Sequence, residues 1–68
     1  MTVREFFEDC ITFVPDKIVF FDVKENVQDS IQSDDAQWFI KEYGTRRIKR
    51  INSFQILIED SSIDIDIE

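Results

Sequence analysis

Histidine is absent from this 68-residue chain, and cysteine, proline and glycine occur once each. Each shortage excludes something. Without histidine, the commonest general acid or base near neutral pH is missing, and a serine or cysteine nucleophile has no imidazole to activate it. A structural zinc site also loses its usual nitrogen ligand. The single cysteine, Cys10, permits no intrachain disulfide and suits a reducing cytoplasm. A lone glycine rules out a glycine-rich phosphate loop. No apolar run approaches the roughly 18 residues of a membrane-spanning helix. The first residues form an acidic amphipathic stretch, unlike the basic-then-apolar pattern of a signal peptide. These gaps argue against an enzyme, a cofactor, a metal site and a membrane location.

What the chain does have is acid and grease. Fifteen acidic residues against eight basic ones give a net charge of −7, while 43% of residues are hydrophobic and nine are aromatic. That is too apolar for a disordered acidic tail, so a folded domain with an acidic exterior is expected. A chain of about 60 residues buries only roughly 60% of its unfolded surface, which makes stability marginal without a staple or a partner. The charge is uneven: residues 1–45 carry −6, residues 46–50 carry +4 and residues 51–68 carry −5. A net negative field repels nucleic-acid phosphates and anionic membranes and favours basic partners.

Thr2-Val-Arg-Glu5 has the form of a capping box. Val3, Phe6, Phe7, Cys10, Ile11 and Val14 follow at helical spacing, and Pro15 closes the run, predicting a helix over 3–12 with Cys10 buried on its apolar stripe. Residues 17–23, rich in β-branched and aromatic side chains, read as a strand buried on both faces. Val27 and Ile31 fit one face of a strand and equally one turn of helix; we read residues 27–32 as an edge strand. Ser33-Asp-Asp opens a second helix with an N-cap and two acids in the first turn. Gly44 stands where a left-handed residue would end that helix.

Residues 46–58 predict a long strand that returns through a loop at Glu59-Asp-Ser-Ser62. Ile58 would then face Ile63, Ile56 would face Ile65 and Phe54 would face Ile67. Ile51 and Leu57 break the parity of Phe54, Ile56 and Ile58, which predicts a bulge near 51–53 or some outward apolar surface. The expected architecture is α–β–(β)–α–β–β. This is a single α+β domain over 1–68, an antiparallel sheet with helices on one face and a C-terminal β-hairpin.

The last residues alternate isoleucine with acid, so Ile63, Ile65 and Ile67 share one strand face and Asp64, Asp66 and Glu68 the other. The carboxylates repeat at about 6.5–7 Å along the strand, close to the step between phosphates of one nucleic-acid strand. Three readings fit: a solvated face that also discourages aggregation, a contact surface for a basic protein patch, or a Ca²⁺ or Mg²⁺ site. The last suffers from the lack of a converging EF-hand loop. Arg46, Arg47, Lys49 and Arg50 read as solvent-facing charges pairing with nearby acids, since a domain of net −7 offers no broad basic footprint for nucleic acid. Ile18 and Phe20 fall on one face of their strand and Val19, Phe21 and Val23 on the other. If the helices cover only one sheet face, the second set meets a loop, a subunit or a target.

The stretch Glu42-Tyr-Gly-Thr-Arg-Arg-Ile-Lys-Arg-Ile-Asn-Ser-Phe54, with the Ile/acid strand after it, resembles small acidic reading frames of phages and prophages of Firmicutes. Members with known roles include stoichiometric inhibitors of host defence such as anti-CRISPR proteins, several of them acidic and bound where nucleic acid would bind. The Arg/Lys cluster departs from a pure mimic of that kind. The resemblance implies a non-catalytic inhibitor, cytoplasmic in the bacterial host, whose acidic surface blocks a basic nucleic-acid-binding site on a host defence protein. The candidate contact residues are Asp64, Asp66, Glu68, Glu59, Asp60, Leu57 and Gln55. No direct nucleic-acid, membrane, cofactor or metal binding is expected. The alternative is a self-associating module, a homodimer joined through an apolar second sheet face.

Overall fold

A computed structural model describes residues 1–56 and 60–68, and the chain has the expected α+β architecture. The first helix, α1 (Val3–Glu5), runs on as a π-helical turn, Phe6–Cys10. Strands β1 (Lys17–Asp22) and β2 (Val27–Gln32) follow, then a 3₁₀ turn, Ser33–Asp35, which leads into α2 (Ala36–Tyr43). Two strands complete the fold, β3 (Ile48–Ile56) and β4 (Ser61–Ile67). No helix among the described residues is long and apolar enough to cross a membrane.

The capping box at the start is formed: the Glu5 N–H donates to Thr2 Oγ1 at 3.2 Å, and the Thr2 N–H donates to Glu5 Oε1 at 2.9 Å. The helix ends two residues before the predicted Thr12, and Cys10 is exposed rather than buried. The π turn is the cause, since its i→i+5 bonds rotate each later side chain relative to the α-helical stripe. At α2, Ser33 does not cap; its N–H donates instead to the Asp16 carbonyl at 2.9 Å, joining the helix start to the entry of β1. Gly44 is not left-handed either, with φ −58° and ψ −32°. It is needed for space. A Cβ there would collide with the Ile40 carbonyl oxygen and press on the Arg4 guanidinium at 3.2 Å.

The four strands lie in the order β2–β1–β4–β3. β1 pairs antiparallel with β2, and β4 antiparallel with β3, but β1 and β4 run parallel, so the sheet is mixed rather than antiparallel throughout. The hydrophobic pattern of β4 explains its place. Only a central strand lies wholly beneath the helices, and there Ile63, Ile65 and Ile67 are fully buried. At about 1.5–3 kcal/mol for each large side chain removed from water, these three residues alone outweigh any single polar contact in the domain. Against them pack Ile18 and Phe20 from β1, Val3, Phe6 and Phe7 from the first helix, and Ala36, Phe39 and Ile40 from α2. Aromatic contacts join the layers, with Phe20 to Phe39 at 4.8 Å and Phe7 to Phe39 edge-on at 5.9 Å.

The β3–β4 register differs from the predicted one. Phe54 faces Ile63, Ile51 faces Ile65 and Ile48 faces Ile67, while Ile56 lies opposite Ser61; Ile58 falls outside the described residues. Residues 48, 51 and 54 are spaced by three, and a regular strand cannot put such a set on one face. Two register shifts, between Ile48 and Arg50 and between Ile51 and Ser53, restore the inward parity each time. The second is the bulge expected near 51–53.

The strand β1 is not buried on both faces. Ile18, Phe20 and Asp22 point inward and are buried, whereas Val19 and Phe21 are only half-covered on the face away from the helices.

Candidate functional site

The outer sheet face is assembled from alternate residues of all four strands. In the centre stand Asp64 and Asp66 of β4, each half-exposed. The parallel register sets Val19 beside Asp64 and Phe21 beside Asp66. On the other side, Ser53 faces Asp64 and Arg50 faces Asp66, so Ser53 and Arg50, rather than Gln55, flank the two carboxylates. The face continues outward with Gln55 opposite Ser62, and with Gln28 and Ser30 of β2 beside Phe21 and Val19.

Asn52 links the two carboxylates. Its Nδ2 donates to Asp66 Oδ1 at 2.9 Å and approaches Asp64 Oδ1 at 3.4 Å. The bulge between Ile51 and Ser53 supplies this residue, because an unpaired position is free to swing its side chain along the strand. A bulge was legible in the sequence; the amide it would aim was not. Neither aspartate makes an ion pair among the described residues. The face therefore presents two adjacent carboxylates, fixed by one amide and bordered by an aromatic ring and a valine.

The remaining predicted contact residues are dispersed. Asp60 is exposed just before β4. Glu68 is exposed beyond the end of β4, where its N–H donates to the Arg47 carbonyl at 2.9 Å and its own carbonyl accepts from Arg46 Nε at 3.0 Å. Leu57 and Glu59 lie outside the described residues. So Asp64, Asp66 and Gln55 share one surface with Asn52 and Phe21, and Glu68 marks its end.

The basic cluster divides. Arg46 is not solvent-facing: its side chain is 24% exposed and grips the buried Asp22 with both terminal nitrogens, at 2.6 Å to Oδ1 and 3.2 Å to Oδ2. The same guanidinium lies 5.8 Å from the centre of the Tyr43 ring. Asp22 also accepts the N–H groups of Lys24 and Glu25, closing the turn after β1. The Arg46 hydrogen bonds hold the Asp22 carboxyl below its ordinary range against the opposing effect of burial. This pair locks the ends of β1, β4 and α2 together. Arg47, Lys49 and Arg50 are exposed and without ion pairs among the described residues.

Chemistry of other kinds finds little support in the geometry. Among the described residues no group of three or more Cys, Asp or Glu side chains converges as metal ligands would. Shallow, open depressions among the described residues include one lined by Lys17, Val19, Gln28, Asp29 and Ser30 and another by Val23, Lys24, Thr45, Arg46, Arg47 and Glu68. Set against protein-family models, curated proteins and solved structures, the chain matches none.

Proposed function

We propose that the chain is a non-catalytic protein-binding protein whose acidic sheet face occupies a basic, nucleic-acid-binding surface of another protein, in the manner of phage-derived inhibitors of host defence. One observation carries this reading: the outer face is covered by neither helix, and at its centre Asp64 and Asp66 stand unpaired among the described residues, fixed by Asn52 and flanked by Phe21 and Val19. A purely solvated face accounts for the carboxylates, which discourage aggregation, but not for the half-covered apolar side chains beside them. Contact with a protein uses both, because carboxylates receive arginine or lysine while the ring and the valine lose water. The alternative, self-association through this face, has only Val19 and Phe21 to offer on β1 and β4, and two copies would oppose their aspartates.

The double charge reversal Asp64→Lys with Asp66→Lys tests the proposal. A basic partner retained from a bacterial lysate by the natural chain, and released by salt or by duplex DNA, should be lost by orders of magnitude with the variant. Equal retention by a variant with an unchanged circular-dichroism spectrum refutes the acidic-face reading.

A further inference from the structure

The open edge of β3 has the opposite character from the rest of the molecule. Residues 45–56 hold four cations and no acid, within a chain of net charge −7. β3 ends the strand order, so among the described residues its outer edge pairs only at the start, where Thr2 bridges Arg47 and the Ile48 N–H donates to the Met1 carbonyl at 2.9 Å. From Lys49 to Ile56 no strand among the described residues lies beside that edge. On its inward face Ile51 is 47% and Ile56 66% exposed, and Phe13, 39% exposed, packs its ring 6.1 Å from Phe54. Exposed apolar side chains thus form a ledge on one side of the edge, and Arg50 carries positive charge on the other.

The paired edge of β3 already demonstrates what such a strand accepts. There β4 sets Ile65 beside Ile51, Ile63 beside Phe54 and Asp66 beside Arg50. We infer that the open edge of β3 binds, by strand addition, an extended segment of a partner protein in which apolar and acidic residues alternate. Its apolar side chains cover Ile51, Ile56 and Phe13, and its acids meet Lys49 and Arg50. Main-chain hydrogen bonds supply affinity and the alternate side chains supply selectivity. A second copy of this chain is a poor occupant. Its acid-alternating strand is interior, and a β3–β3 pairing would gather two sets of Arg47, Lys49 and Arg50 with no acid between them. The surface meets the acidic outer face at Arg50, which lies opposite Asp66, and takes a partner of opposite charge.

The probe is a blocked peptide of residues 61–68, Ser-Ser-Ile-Asp-Ile-Asp-Ile-Glu, titrated into the ¹⁵N-labelled full chain. Saturable shifts confined to residues 49–56, Met1 and Phe13, with slowed amide exchange along β3, are expected. A peptide carrying lysine at the three acidic positions should not bind. Lys49→Glu should weaken binding about fivefold, as expected for reversal of one exposed charge contact, and Ile56→Asp should remove the apolar half of the contact. Both side chains are exposed, so the amide spectrum away from β3 verifies each fold. Equal binding of the lysine peptide, shifts centred on β2 or the outer face, loss of the chain's own β4 signals through strand exchange, or concentration-dependent broadening of β3 without peptide would each overturn the inference.

Discussion

Asp22 and Asp66 lie on neighbouring strands at the same end of the sheet, yet their carboxylates have opposite surroundings. Asp22 faces inward, 4% exposed, and meets a guanidinium and two backbone N–H groups. Asp66 faces outward between Phe21 and Arg50, and among the described residues its carboxylate is hydrogen-bonded by the Asn52 amide and makes no ion pair. A one-residue step across the pleat separates a carboxylate in a buried ion pair from one that faces outward with no ion pair among the described residues. Burial with a cation makes an acid structural; exposure without one leaves it available to another molecule.

The sharpest way to break this comparison is Asp22→Ala. It strands a guanidinium that is three-quarters covered, and unpairing such a group costs about 3 kcal/mol, at the lower end of the range for buried pairs because Arg46 keeps some contact with water. Denaturant melts should show a loss of that size, a large part of the stability of so small a domain. The effect of pH comes next. Because the folded carboxyl titrates below its ordinary 3.8, the stability it contributes is complete above that value. It is lost as pH falls from there through the folded value, since the unfolded chain takes up the proton first. Urea melts between pH 5 and pH 2 should slope downward for the natural chain, and less steeply for Asp22→Asn. The smallest stability effect belongs to the other side: Asp64→Asn with Asp66→Asn should change stability by less than about 0.5 kcal/mol. A larger loss would mean that the outer carboxylates support the fold after all.

Local rules carried much of the fold into the sequence. The capping box at Thr2 and Glu5, the inward isoleucines of β4, the edge strand at 27–32 and the irregularity near Asn52 all depend on residues a few positions apart. What escaped depends on distant neighbours. The register of β3 rested on a turn, and two bulges rather than the turn set which residues meet. Cys10 was misplaced because a π turn and an α turn share the same apolar pattern at their start. At Gly44 the constraint is not the backbone dihedrals but space, because a Cβ would meet the Ile40 carbonyl oxygen first and the Arg4 side chain second. Of the site, Asp64 and Asp66 were legible from alternation alone, whereas Phe21 and Val19 joined them only through the parallel pairing of β1 with β4.

That parallel pairing also sets the order of assembly. β1 and β4 meet across a sequence separation of 45 residues, secured at one end by Asp16 and Ser61, whose backbone N–H groups each donate at 3.0 Å to the other's side chain. β4, one of the two central strands, is the last of the four to be synthesised. Until it arrives, β1 has only β2 to pair with, β3 has lost its main partner, and the helices have no isoleucine row to cover. The core therefore waits for a pairing across some 45 residues, which favours slow, all-or-none acquisition of structure over stepwise growth from the N-terminus. A nascent chain stalled short of Ile63 would expose Phe20, Phe39 and Phe54 together, a state open to chaperones and proteases that the finished sheet closes off.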